Sequence, residues 1–275
     1  METNYSSFDY VKSDERIQEI LDSAETFDEV DDIPSRDRLT YSNGFYVNCT
    51  AMFIDIRASS ELANNHTRPV LGKLYRSYLS ECVAAINGDS RCREIFINGD
   101  CVSGIFSTPM KSDIDAVFST AAQLYSVTEI LNWRLEQKGY TSFHCGLGIA
   151  YGRSLMLKAG HKGSGINDVI WMGDVVNEAS NLCHDGSRGS RKALQVSTTV
   201  FSNLNDHNRN LLTPVHSTSI QQIDQYEGYV VNMTMDQYLT ALKKKSEELK
   251  RLAQTLRGGL LGLYPSTSTT LLGRR

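Results

Sequence analysis

Two carboxylates in this chain stand where carboxylates are costly. Asp55 interrupts an otherwise apolar run, Ala51-Met52-Phe53-Ile54-Asp55-Ile56-Arg57, whose pattern predicts a central strand buried on both faces. A carboxylate inside such a strand is unfavourable unless it is paired or bound to a metal ion. Asp100 directly follows Asn98-Gly99, a strong hairpin signal. If the hairpin over 94–107 packs beside the 51–57 strand, both carboxylates reach one edge of the sheet. Two like charges ~4 Å apart repel by about 4 kcal/mol at an effective dielectric of 20, and a divalent cation reverses the sign of that term. Such a pair suits two-metal catalysis, with ions roughly 3.5–4 Å apart. One ion activates an attacking hydroxyl; the other steadies phosphates and a leaving group. Each aspartate also has a plain structural reading: an Asp after Asn-Gly is a commonplace turn residue, and a strand Asp can be held by an ion pair.

The elements that must position this pair follow from periodicity. Helical spacing of Leu71, Leu74, Tyr78, Cys82 and Ile86 predicts a helix over 67–87, stopped by Asn87-Gly88. A second helix is expected after Ser112 as N-cap, with Asp115 at the box position and Gly139 as its end. Alternation through Phe143, Cys145, Leu147 and Ile149 reads as a half-buried strand. Residues 154–172 read as a hairpin around Gly160-His161-Lys162-Gly163-Ser164-Gly165. That loop lacks the Gly-Lys-Ser/Thr ending of a phosphate-binding loop. A helix opens at Gly173-Asp174, capped by Asp174, and weaker strands follow at 194–197 and 228–233. Strand, helix, hairpin, helix and strand in this order predict an α+β fold, a ferredoxin-like antiparallel sheet with flanking helices.

Four segments are expected: an acidic N-terminal segment over 1–40, a central domain over 41–235, a charged helix over 236–257 and a flexible tail over 258–275. Leu242, Leu249 and Leu256 recur every seven residues in the helix, as in a short coiled coil or a surface helix packed on a core. The 275 residues carry 28 Lys+Arg against 32 Asp+Glu and are 40% hydrophobic. That is a globular composition, and its acidic excess argues against a nucleic-acid partner. The charge is uneven: twelve acids and four bases in the first 40 residues leave the remainder at +4. No apolar run approaches the ~20 residues of a membrane span, and the N-terminus lacks signal-peptide features. Six cysteines without a Cys-x-x-Cys pair read as free thiols in a reducing cytoplasm.

Phe53-Ile54-Asp55-Ile56-Arg57, then Gly99-Asp100 in a hairpin, then Gly173-Asp174-Val175-Val176-Asn177-Glu178-Ala179 resemble the class III nucleotidyl cyclases over about residues 45–235. The resemblance implies two Mn²⁺ or Mg²⁺ ions per site, held by Asp55, the Ile56 carbonyl and Asp100. It implies attack of a nucleoside triphosphate's 3′-hydroxyl on its own α-phosphate, with loss of pyrophosphate. It also implies a homodimer with composite sites, in which Asn177 orients the ribose from the partner chain. Asp55, Asp100 and Asn177 are thus the expected catalytic residues, and Phe53, Ile56, Arg57, Ala58, Ser59, Phe96 and Ile170 the expected substrate-binding ones.

Departures from the family pattern carry further meaning. The usual Gly-Phe-Thr after Arg57 is Ala58-Ser59-Ser60, which still opens a segment able to present backbone N–H groups to phosphate. The adenine-reading Lys is replaced by Phe96, the Asp or Thr before Gly173 by Ile170, and the transition-state Arg by Asn181. Arg153, Lys158, Lys162, Arg188 and Arg191 are the basic residues open to replace that Arg. This mixture resembles the stand-alone pyrimidine cyclases of bacterial Pycsar anti-phage systems, whose cyclic UMP or cyclic CMP activates a separate effector protein. The resemblance favours UTP over CTP, with Asn48, Thr50 and Ser103 as possible base readers. A purine cyclase and a catalytically silent dimerisation module remain the alternatives.

Overall fold

The computed structural model describes residues 2–216 and 223–261, with side chains to 256. In chain order the elements are α1 (Tyr10–Leu21), β1 (Thr26–Val30), β2 (Asn43–Ile56), α2 (Ser59–Asn65), α3 (Arg68–Asn87), β3 (Cys92–Asn98), β4 (Cys101–Ser107), α4 (Lys111–Gln137), β5 (Cys145–His161), β6 (Ile166–Met172), α5 (Asp174–Asp185), β7 (Leu194–Ser197), α6 (Thr198–Asn203), α7 (Asp206–Arg209), β8 (Thr213–His216), β9 (Ile223–Gly228) and α8 (Met233–Leu261). The described strands form one sheet ordered β3-β4-β2-β5-β7-β9-β8, with β1 alongside β2 and β6 alongside β5. Residues 2–216 and 223–232 belong to one compact unit and the α8 segment to another. No helix among the described residues is long and apolar enough to cross a membrane.

The continuous apolar run of β2 is explained by burial on both faces. Met52, Ile54 and Ile56 join a cluster with Leu74, Tyr78, Cys82 and Ile86 of α3 and Val117, Phe118 and Ala121 of α4. The alternate residues Phe45, Val47, Cys49 and Ala51 join a second cluster with Val175, Ala179 and Leu182 of α5. Period-2 alternation sends successive side chains to opposite faces, so a strand sandwiched between two helical layers needs apolar residues throughout. Asp55 lies in phase with Ala51 and Phe53, on the α5 side.

Gly146 and Gly148 of β5 let α5 lie unusually close. A Cβ at Gly148 would overlap the Ala179 carbonyl oxygen and the Cys183 amide nitrogen, and would lie 2.9 Å from the Cys183 Cα. These are backbone atoms with no flexible end to swing away. We therefore expect Gly148→Ala to destabilise the protein by about 3 kcal/mol, the upper range for an overpacked core. A lowered urea midpoint with unchanged slope measures it; an unchanged midpoint contradicts the close approach.

Several local expectations are corrected. The sheet is mixed, because β1 runs parallel to β2 and β5 parallel to β7. The α4 N-terminus is built by Asp113, which accepts from the Met110 backbone N–H, while Asp115 instead accepts from Asn205 N and Asn208 Nδ2. Gly173 occupies the α5 cap position and Asp174 is its first helical residue, where a carboxylate favours the helix dipole without capping it. The last strand ends at Gly228, before most of the 228–233 stretch.

The acidic segment is no solvated extension in its second half. Thr26–Val30 pairs with Asn43–Val47, and Ile33 and Leu39 are buried. Arg36 pairs with buried Glu94 of β3 and, at 3.1 Å, with Asp168 of β6. In contrast, α1 buries none of its residues. Helix α8 covers the expected 236–257 helix and runs from Met233 to Leu261; Leu249 and Leu256 are exposed on it. Residues 262–275, most of the expected tail, lie outside the described residues.

Candidate functional site

Asp55 is the penultimate residue of β2, opposite Gly146 of β5, and Ile54 beside it pairs with Val102 of β4. Asp100 follows Gly99, whose φ of 65° makes the left-handed turn that glycine accepts at no steric cost. The β3–β4 turn thereby delivers Asp100 to the end of β2, as the hairpin predicts. The two carboxylates feel each other: burial and then the Asp100 charge push the Asp55 carboxyl above the usual carboxylate range, and Arg57 opposes them.

Arg57 does not bind from the open side as expected of a substrate-binding residue; it is turned inward. Its side chain is 8% exposed, and its Nη1 donates to Asp55 Oδ2 at 2.9 Å. Nε donates to the Gly186 carbonyl at 2.8 Å and Nη2 to the Cys183 carbonyl. The guanidinium therefore ties the aspartate to the C-terminal end of α5, where orphan helix carbonyls attract a cation. Arg57 lies one residue past the end of β2, buried and two positions after the aspartate, where it pairs with it.

The donor set fits a divalent cation. Asp55 Oδ1 and both oxygens of Asp100 accept no hydrogen bond among the described residues, and Asp55 Oδ2 is held in place by Arg57. Two neighbouring half-buried carboxylates with a single donor between them are compensated best by a shared hard cation. No group of three or more His, Cys, Asp or Glu suited to a metal occurs among the described residues. Two carboxylates alone match ions such as Mg²⁺ that take their remaining oxygens from water and phosphate.

Around the pair, Tyr75 of α3 and Cys101 of β4 are further neighbours that sequence reasoning did not single out. Both aspartates help push the Tyr75 hydroxyl and the Cys101 thiol up, the latter to about 12, with burial the larger cause in each. After Arg57 the chain passes through Ala58 in a left-handed conformation and starts α2 at Ser59 with no side-chain cap.

The five basic candidates separate clearly. Arg153 pairs with Glu29 and lies over the Tyr46 ring, Lys158 lies over the Tyr41 ring, and Lys162 pairs with Glu19. Arg188, just past α5, is the one whose charge acts on Asp55. Arg191 shows no such interaction.

Phe53 and Phe96 pack half-buried against the α5-side cluster together with Val176, whereas Ile170 is 41% exposed on β6 opposite Leu157. The chain thus brings two of the three expected apolar pocket residues to one face and leaves the third apart. Asn177 is also apart from the aspartates. With Asp174, Glu178 and Asn181 of α5 and Asp224 and Gln225 of β9, it lines a cleft of about 300 Å³, to which neither Asp55 nor Asp100 contributes. Burial and then Asp174 push the Glu178 carboxyl up. Such an acidic cleft is unsuited to a triphosphate on its own.

Residues 42–233 match the model of the family described as the adenylate and guanylate cyclase catalytic domain. A uridylate cyclase of Treponema porcinum is 38% identical over 206 residues, covering 75% of this chain and 72% of that protein. A uridylate cyclase of Gulbenkiania mobilis is 41% identical over 190 residues, covering 66% and 74%. Among solved structures, the adenylyl cyclase CyaB from P. aeruginosa superposes with a TM-score of 0.56 at 20% identity, covering 67% of this chain and 94% of its own. A bacterial light-regulated adenylyl cyclase gives 0.56 at 22% identity, covering 70% and 56%. These two structures support the fold.

Proposed function

We propose a reaction for this chain on one premise: it belongs to the adenylate and guanylate cyclase catalytic domain family, and is a nucleotidyl cyclase. Its substrate is UTP, which it converts to 3′,5′-cyclic UMP and pyrophosphate. The similarity to two proteins named uridylate cyclase, at 38% and 41% identity, carries this reading. The replacement of the adenine-reading Lys by Phe96 supports it.

In this reaction the 3′-oxygen forms a bond to the α-phosphorus while the bond from that phosphorus to the pyrophosphate oxygen breaks. The hydroxyl proton leaves with solvent. Asp55, Asp100 and the Ile56 carbonyl would hold two Mn²⁺ or Mg²⁺ ions. When bound, such ions lower the pKa of the attacking hydroxyl and neutralise the leaving group. Arg57 fixes the Asp55 carboxylate so that its outer oxygen faces the substrate. Backbone N–H groups at Ala58 and Ser59 receive phosphate oxygens, and Phe53 and Phe96 cover the base. Asn177 orients the ribose of a substrate whose phosphates lie on the partner's aspartates, which makes the active unit a homodimer. Arg188 is the basic group placed to approach the phosphates in place of the family's Arg. Cyclic UMP then serves as a cytoplasmic second messenger for a separate effector protein in anti-phage defence.

Incubation of the full chain with each of ATP, GTP, CTP and UTP and Mn²⁺, followed by mass spectrometry, tests the reading. Cyclic UMP as the main product is expected. Exclusive cyclic AMP overturns the assignment of the base, and no cyclic product with any nucleotide overturns catalysis itself.

A further inference from the structure

Ser103 sits in the middle of β4, at the centre of a row that crosses three adjacent strands. Strand register places Phe96 of β3 opposite Ser103, and Ser103 opposite Phe53 of β2. Residues paired in this way project to the same face. Neighbouring strands lie about 4.8 Å apart, so the two phenylalanines leave the sheet about 10 Å from each other with only a serine between them. A planar base sandwiched between two rings needs roughly 7 Å between the ring planes. The row therefore sets a hydroxyl between two aromatic side chains on one face of the sheet, a spacing that a base entering between the rings would fill.

That hydroxyl is unusual. Ser103 is 7% exposed, yet its hydroxyl makes no hydrogen bond among the described residues. Every other buried serine or threonine hydroxyl has a partner: Thr50 with Thr108, Thr120 with Asp89, Thr128 with the Leu124 carbonyl, Ser154 with the Met172 carbonyl, Ser107 with Asp32, and Ser126 and Ser197 with backbone N–H groups. A serine hydroxyl left without a protein partner where the other buried serines and threonines are paired calls for a specific explanation. Unlike the Tyr78 hydroxyl, Ser103 Oγ is not sealed from solvent. Val176, which packs against the same cluster, sets this row beside Asn177.

We propose that Ser103 is the specificity-determining residue that reads the hydrogen-bonding edge of the pyrimidine, with Phe53 and Phe96 stacking on its faces. This rests on the nucleotide-cyclase reading above. A serine hydroxyl both donates and accepts, so it donates to a uracil carbonyl or accepts from its N3–H. A site built around a hydrogen bond penalises its loss because the partner is left unpaired between the rings.

The test compares the full-length protein with Ser103→Ala and with the hydroxyl-retaining Ser103→Thr. For UTP cyclisation, Ser103→Ala is expected to lower kcat/KM about tenfold, mainly through KM, at an unchanged melting temperature. Ser103→Thr recovers part of the loss. Binding of 3′-deoxy-UTP, which lacks the attacking hydroxyl, is measured in parallel with Mn²⁺. It is expected to weaken about tenfold in Ser103→Ala, while binding of 3′-deoxy-ATP changes little. Equal 3′-deoxy-UTP affinity in wild type and Ser103→Ala overturns the proposal. Selective binding without any cyclic product overturns the reaction instead and leaves the base-reading role standing.

Discussion

Asp100→Asn is expected to lower the rate of cyclic nucleotide formation by about 10³-fold or more while the protein stays folded and gains slightly in stability. The first half follows from the donor set: the site has two carboxylates, and an amide oxygen is a far weaker ligand for a hard dication than a carboxylate. The second half follows from the metal-free electrostatics. Asp100 accepts no hydrogen bond from any described residue, and its charge helps push the Asp55 carboxyl above its usual range. Neutralising it removes a repulsion and breaks no bond. Asp55 is 30% exposed, so solvent screens the gain to about 0.5 kcal/mol, or roughly 1–2 °C in melting temperature. The sign for Asp55 is that of a raised acid: its ionisation costs the metal-free fold stability as pH rises through the folded pKa, and part of that cost disappears in Asp100→Asn. A melting curve in chelator, set beside a turnover assay in Mn²⁺, reads both halves. Wild-type turnover in Asp100→Asn would sink the metal assignment. Asp55→Ala is expected to be equally inactive, with Arg57 still held by the Gly186 and Cys183 carbonyls.

The position of these aspartates was legible because its determinants are local. An apolar run broken by one acid, a two-residue turn signal and a helical repeat each fix a strand, a hairpin or a helix within a few residues. Three of them in order place Asp55 and Asp100 together. Determinants that act through tertiary structure were not legible. Asp113 and Asp115 are both plausible helix-start acids, and only the docking of the 205–208 segment shows that Asp115 is committed elsewhere. The parallel pairing of β1 with β2 depends on a partner 17 residues away in register, with no turn signal to announce it. Arg57 is a surface-type residue by composition, and its inward course became visible only with α5 seated on Gly146 and Gly148. The same holds for the basic residues: chain position left five open, while three of them are engaged by the acidic segment or by nearby tyrosines. The acids of the first 40 residues thus neutralise part of the domain's own positive charge. The chain's net negative charge is therefore compatible with the proposed polyanionic substrate, whose charge would be met locally by cations at Asp55 and Asp100.

A mixture of two inactive variants is expected to recover activity. Asn177 lines a cleft with Asn181 and β9 residues, and Asp55 and Asp100 lie outside that lining. On the proposed reaction one chain presents two half-sites, the aspartate pair for metal and the Asn177 cleft for sugar, and neither is complete alone. A two-fold dimer that faces one half-site with the other satisfies both, because an isologous pairing makes each contact twice. On this arrangement Asp55→Ala destroys the metal half and keeps the ribose half, while Asn177→Ala does the reverse. Each homodimer has two defective sites. In a heterodimer the Asn177→Ala chain supplies the aspartates and the Asp55→Ala chain supplies Asn177, so one site of the two is intact. Every doubly tagged dimer is mixed and holds one intact site of its two, which restores about half of wild-type activity. Asn177→Ala alone is expected to fall about 10²-fold, the usual cost of removing one oriented hydrogen-bonding group from a reacting centre. Co-expression of differently tagged variants, with turnover measured on the doubly purified protein, reads the recovery directly. Activity no higher than that of Asn177→Ala would place both half-sites in one chain. Recovery would show that catalysis by this fold is a property of the pair, with Arg57 joining the metal-holding end of each protomer to the helix that serves the other site.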